Sequence, residues 1–93
     1  MKESSIERKF TLAIKRLGGR AVKFVSPGRA GMPDRIVLLP GGLVRFVELK
    51  RPGAGPTDLQ KVRHAELREL GFEVTVIDSP EAVDRYVKEL MLL

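Results

Sequence analysis

Residues 32–50, MPDRIVLLPGGLVRFVELK, constrain this 93-residue chain more than any other stretch. Two short apolar, β-branched runs, 34–39 and 43–50, meet at Pro40-Gly41-Gly42. They are bracketed by two segments dense in structure breakers, Ser26-Pro27-Gly28-Arg29-Ala30-Gly31 and Arg51-Pro52-Gly53-Ala54-Gly55-Pro56. Runs this short, joined this tightly, pair as a β-hairpin. Its register depends on the turn. A two-residue Gly41-Gly42 turn would pair Pro40 with Leu43 and set Asp34 opposite Leu49. A three-residue loop pairs Leu39 with Leu43, Ile36 with Phe46 and Asp34 with Glu48. Proline suits the first turn position and Gly42 the left-handed residue that completes such a loop, so the three-residue form is expected, with no positive φ needed at Gly41.

That register gives the charges at the hairpin ends a chemical meaning. Directly opposed residues carry Cβ atoms about 4.5–5.5 Å apart, so both carboxylates reach one cation, and without one they repel. Two carboxylates, a backbone carbonyl such as that of Leu49, and water suit Mg²⁺, which demands hard oxygen ligands and keeps several waters. Strand alternation turns Glu48 and Lys50 the same way. There Lys50 can orient the attacking water or help deprotonate it, and stabilise charge developing on a phosphate. The competing reading is a hairpin whose ends merely reach solvent, with Glu48 and Lys50 as a same-face ion pair.

The rest of the chain supplies helices around this hairpin. Ser4 and Glu7 have capping-box spacing, and Ile6, Phe10, Ala13, Ile14 and Leu17 recur on one face of a first helix that Gly18-Gly19 ends. Residues 20–25 are β-like. Thr57 and Gln60 form a second capping-box pair, opening a helix with Leu59, Val62, Leu67 and Leu70 expected inward and Gly71 as its stop. Residues 72–77 alternate as a strand. Ser79-Pro80 fits the N-cap and first position of a last helix bearing Val83, Tyr86, Val87 and Leu90. The predicted order is αβββαβα, one domain over 1–93 with no repeats, and the two breaker-rich loops are candidate functional loops.

Composition narrows the chemistry. Seventeen Lys plus Arg against twelve Asp plus Glu give a formal charge of +5, a balance that favours polyanionic partners. With no cysteine and one histidine, thiolate and His-based zinc sites drop out, and a metal would be held by oxygen. Residues 1–7 lack an apolar signal core, and no apolar run approaches the ~20 residues that span a bilayer. The expectation is a cytoplasmic protein, of a bacterial or phage-infected cell, with no membrane partner.

Asp34, thirteen intervening residues, then Glu48-Leu49-Lys50, after Gly31-Met32-Pro33, resembles the PD-(D/E)XK nuclease signature. More narrowly, 31-GMPDRIVLLPGGLVRFVELK-50, with Gln60 downstream and Gly71 before the last strand, resembles the VRR-NUC (virus-type replication-repair nuclease) family, from Glu7 to about Ile77. The resemblance implies an α/β fold with a restriction-endonuclease-like core, αβββαβ in order, a central mixed sheet flanked by helices, and the C-terminal helix as an addition. It implies that Asp34 and Glu48 hold Mg²⁺ or Mn²⁺ and that Lys50 assists the attacking water. It gives Glu7 a role as a ligand or outer acid and places Gln60 at the metal's edge, although the capping boxes already explain both. His64, one turn beyond Gln60, has the spacing to face the same groove, but a lone helical His is more often solvated surface, and it is left out of catalysis.

Arg29, Arg35, Arg51, Lys61, Arg63 and Arg68 are candidate phosphate contacts, since Arg meets phosphate oxygens with a fixed fork and these residues gather near the hairpin mouth and the second helix. The resemblance suggests a homodimeric, structure-selective endonuclease acting on branched or junction DNA, and a two-fold pair of sites would suit a two-fold substrate. The rivals are a flap- or end-directed nuclease, a nucleic-acid-binding module without catalysis, and a purely structural domain. Gly28-Arg29-Ala30-Gly31 fits the GXXG of KH domains, but that loop joins two helices, and here strands are expected on either side.

Overall fold

A computed structural model describes residues 3–93. The order is α1 (Glu3–Arg16), β1 (Arg20–Lys23), β2 (Arg35–Leu39), β3 (Leu43–Leu49), α2 (Asp58–Glu69), β4 (Val74–Ile77) and α3 (Pro80–Met91). The four strands form one sheet in the order β1-β2-β3-β4. β1, β2 and β3 are an antiparallel meander, while β4 returns parallel to β3. A parallel return needs a crossover, and α2 is that crossover. The expected mixed sheet with flanking helices is what the chain adopts.

Strand alternation divides the core. From one sheet face Val37, Val47, Leu49 and Ile77 pack with Ile6, Phe10 and Ile14 of α1 and Val83, Tyr86 and Leu90 of α3. From the other face Phe46 and Val74 meet Leu67 of α2, with Phe24, Met32 and Ile36 around them. The last four residues of β3 are therefore buried in succession, as a strand covered on both faces must be. The α2 side is the thinner layer. Among the described residues no helix is long and apolar enough to cross a membrane.

The hairpin has the three-residue loop: Leu39 pairs with Leu43 and Ile36 with Phe46. One detail differs. Gly41 and Gly42 both have positive φ, +85° and +79°, so the left-handed conformation expected of Gly42 alone is required twice. The strands are also shorter than predicted, although Phe24 N–H still donates to the Asp34 carbonyl and Lys50 N–H to that of Ile77.

Helix ends follow local chemistry with one exception. Thr57 and Gln60 form the reciprocal capping box on α2. At its other end Gly71 takes φ +97° and Phe72 N–H reaches back to the Leu67 carbonyl at 3.1 Å, a Schellman closure. Ser79 caps α3, accepting from Ala82 N–H at 3.0 Å, with Pro80 in the first turn. The Ser4 cap is not realised. Helix α1 is already formed at Glu3, so Ser4 lies inside the first turn and whatever precedes the helix lies outside the described residues.

The inward face of α2 is the main correction. Leu59, Val62 and Leu70 are exposed, and the buried residues of this helix are His64 and Leu67. The helix is fastened largely by polar bonds: Arg63 Nε donates to the Ala30 carbonyl at 2.9 Å and Arg68 to that of Val74 at 2.8 Å. Gly31 permits the approach of the preceding loop. A Cβ there would come within 2.8 Å of Leu59 Cγ, and its φ is +85°, so a side chain is opposed both by space and by backbone conformation.

Candidate active site

The register carries Asp34, one residue before β2, to the level of Glu48, one step beyond the Arg35–Val47 pair. Asp34 Oδ1 accepts from Leu49 N–H at 3.0 Å. Its carbonyl accepts from Phe24 N–H at 2.9 Å on the β1 side, so Asp34 is fixed where three strands converge. Glu48 is 3% exposed, on the sheet face that α2 covers. Two residues on, Lys50 Nζ lies 3.9 Å from Glu48 Oε2. Asp34, Glu48 and Lys50 are thus brought to one end of the hairpin, as the three-residue loop requires.

Two helices address this end from opposite faces. From α2, His64 is 2% exposed and its Nε2 lies 3.5 Å from Glu48 Oε1. This residue was expected at the solvated surface. Burial, and then the positive charges of Arg68 and Lys50, push its pKa below the usual histidine value, so the neutral imidazole faces the carboxylate. The spacing held a usable signal: His64 is four residues beyond Gln60, which puts both on one helix face. From α1, Glu7 Oε1 meets Arg35 at 3.0 Å and Lys23 at 3.8 Å. Arg35 in turn donates to the Asp34 carbonyl at 2.9 Å.

The remaining candidates divide by what already holds them. Gln60 Oε1 accepts from Thr57 N–H at 2.9 Å, serving the helix start. Arg35, expected to touch phosphate, is 8% exposed and engaged with Glu7. Arg29 and Arg63 converge on Glu66, at 2.6 and 2.9 Å, a partner the sequence reading missed; the Arg63 hydrogen bond above all holds the Glu66 carboxyl below its usual range. Arg51, Lys61 and Arg68 are exposed. The 28–31 loop runs between β1 and β2, which removes the KH comparison.

Among the described residues no group of three or more His, Cys, Asp or Glu side chains is arranged to hold a metal ion. A cation here would draw on two carboxylates, the Leu49 carbonyl and water. That all-oxygen set suits Mg²⁺ or Mn²⁺ in chemistry and in number. Glu48 is buried with Lys50 Nζ 3.9 Å from its Oε2, so the carboxylate that a cation would use is already held beside a positive charge.

Comparison with known proteins agrees with this geometry. No family model matches the chain. Its sequence is 49% identical over 81 residues to Putative nuclease p44 of Acyrthosiphon pisum secondary endosymbiont phage 1, an alignment covering 87% of each chain. A solved VRR_NUC domain superposes with a TM-score of 0.87 at 32% identity, over 92% of this chain and 94% of that one. The chain belongs to the VRR-NUC family. Membership of this nuclease family bears out the resemblance carried by residues 31–34 and 48–50, and with it the mixed-sheet α/β fold. In this VRR-NUC protein residues 31–34 and 48–50 lie at the end of the hairpin where β2 starts and β3 finishes.

Proposed function

We propose that this VRR-NUC protein, acting as a single domain over 1–93, is a Mg²⁺- or Mn²⁺-dependent deoxyribonuclease that hydrolyses DNA phosphodiester bonds with water as nucleophile. The supporting observation is the buried Glu48 carboxylate, set in register with Asp34 and with Lys50 Nζ 3.9 Å away. Asp34, Glu48 and the Leu49 carbonyl are the ligands in this reading. A divalent cation held there supplies Lewis-acid polarisation of the phosphate and acidifies the attacking water. Lys50 orients that water and meets the charge that develops on the phosphate oxygens. Glu7 acts from behind, through Arg35, and Gln60 borders the site from the start of α2. The exposed Arg51, Lys61 and Arg68 line the approach for the DNA backbone, while Arg29 and Arg63 are held by Glu66.

The substrate in this reading is branched or junction DNA, cut endonucleolytically by a homodimer in the cytoplasm of a bacterial or phage-infected cell. A chain of this size covers little duplex by itself, and a two-fold pair of sites matches a two-fold substrate. The test is cleavage of duplex, flap, four-way-junction and single-stranded DNA with Mg²⁺, Mn²⁺ or chelator, alongside sedimentation of the protein. Asp34→Asn, Glu48→Gln and Lys50→Ala should each abolish cleavage and keep much of the DNA binding, since phosphate affinity is spread over many cations. A purified Lys50→Ala protein that cuts at the wild-type rate would overturn the chemistry. Equal cutting of every substrate would remove the junction preference, and a monomer bound to the junction would remove the dimer.

A further inference from the structure

The environment of Glu48 contains one group that the nuclease signature does not supply. His64 and Glu48 come from different layers, α2 and β3, yet they are 2% and 3% exposed and face each other at 3.5 Å. Among the described residues His64 Nε2 has no well-formed hydrogen bond. A buried N–H without a partner costs about 1–3 kcal/mol, so a position that kept histidine only for packing would be better served by an apolar residue. Glu48 Oε1 is the acceptor that Nε2–H faces, and the gap is a few tenths of an ångström longer than a good N–H···O bond. The other oxygen of the same carboxylate, Oε2, lies on the Lys50 side.

We propose that His64 is a positioning residue for the metal: its Nε2–H holds Oε1 of Glu48 and thereby fixes the carboxylate so that Oε2 is presented to the cation. The inference rests on the nuclease reading of the site. The role follows from the packing. Glu48 has three rotatable side-chain bonds and comes from a strand, whereas the cation must find both carboxylates in one arrangement. The α2 layer has a smaller apolar cluster than the α1 and α3 side, and His64 brings a polar nitrogen from that layer to 3.5 Å from Oε1. Groups that orient ligands in this way typically set metal affinity by about 10–100-fold.

The experiment is a calorimetric titration of the full chain with Mn²⁺ and with Mg²⁺, in the wild type and in His64→Leu, His64→Met and His64→Gln, with thermal unfolding measured on each. Gln carries an amide N–H at a reach similar to that of Nε2, whereas Leu and Met fill the space with no donor. The expected result is a metal Kd weakened by about 10–100-fold in His64→Leu and His64→Met, with Tm equal to or above that of the wild type. His64→Gln should recover to within about threefold of the wild-type Kd. If either apolar variant that folds binds metal as the wild type does, the inference is overturned. It is also overturned if a folded His64→Gln is as weak as His64→Leu. A wild-type protein that binds neither ion would instead overturn the nuclease reading beneath it.

Discussion

Replacement of Glu7 by Gln separates the two roles open to this acid, direct ligand and partner of Arg35. The Arg35 side chain is 9% exposed and that of Glu7 35%, with 3.0 Å between NH2 and Oε1. At an effective dielectric constant near 20, unit charges at that separation attract by about 5 kcal/mol before desolvation is counted. Removing one partner of a fully buried pair costs about 3–5 kcal/mol, because the other charge is left uncompensated. Here water reaches Glu7, Gln keeps an acceptor, and Arg35 retains its bond to the Asp34 carbonyl at 2.9 Å. Those three mitigations bring the expected loss to about 2 kcal/mol, or a fall in Tm of about 8–16 °C for a chain of this size. Urea unfolding reads the first number, with an unchanged m-value, and a Mn²⁺ titration reads the site. Glu7→Gln should lose stability and weaken metal binding by less than Asp34→Asn does. In the double variant with Arg35→Met, most of the stability should return, since no charge is then left buried. A Glu7→Gln protein as stable as the wild type but unable to bind metal would refute the anchoring argument and make Glu7 a ligand.

Further perturbations test the hairpin loop and the main core. Gly41→Ala and Gly42→Ala should each cost about 1–2 kcal/mol in urea unfolding, because both positions have positive φ while a Cβ at either meets nothing within 4 Å; a neutral Gly41→Ala would show that the loop has the single left-handed residue first expected. Deleting either glycine should lower both stability and Mg²⁺ affinity, since a shorter loop either slips the apolar pattern or separates Asp34 from Glu48. Tyr86 is the sole tyrosine in a chain without tryptophan, so its absorbance near 295 nm can be followed alone. Burial pushes its pKa up to about 12. A raised acid is neutral in the fold, so this stability is fully present below pH 10, the ordinary tyrosine value, and about 3 kcal/mol is lost as pH rises through 12. The hydroxyl has no hydrogen-bond partner among the described residues, so Tyr86→Phe should be neutral or stabilising by about 1 kcal/mol, and a midpoint near 10 in the folded protein would refute the buried placement.

What the sequence made legible was chemistry completed within a few residues. The Thr57–Gln60 box, the Ser79–Pro80 start and the Gly71 closure each satisfy backbone groups locally, and each formed as predicted. The hairpin register was also legible, because Pro40 suits the first position of a three-residue loop and Gly42 its left-handed residue, and the observed pairing is that register. The inward face of α2 was not. Leu59, Val62, Leu67 and Leu70 suggested an apolar stripe, but only Leu67 is buried; the surface beneath includes Glu48, and His64 and the anchoring arginines fasten the rest. Hydrophobic periodicity reads helices that pack on apolar sheet, and this helix packs partly on a carboxylate. The partners of Arg29, Arg35 and Arg63 were hidden for a related reason: a basic residue near a site looks available for phosphate until the acid that holds it is located in space.

The sheet explains why charge can be kept at this end of a small core. Successive residues of a strand are handed to opposite layers, so Asp34 and Arg35 are neighbours in sequence while Arg35 is compensated by Glu7 from the α1 side. Leu49 belongs to the main core, while Glu48 beside it faces His64 on the α2 side. Each layer thus stabilises one charged residue with a polar group of its own, and the meeting point of the two layers is where Asp34, Glu48 and the Leu49 backbone come together. The layers differ in strength. The α1 and α3 side has a continuous apolar cluster, whereas the α2 side rests on Phe46, Leu67 and Val74 with polar fastenings around them. Loss of packing under α2 should therefore reach the site before the fold is lost. Leu67→Ala provides the physical comparison: it should loosen His64 and Glu48, and reduce metal affinity, at denaturant concentrations where the α1 and α3 core is still intact.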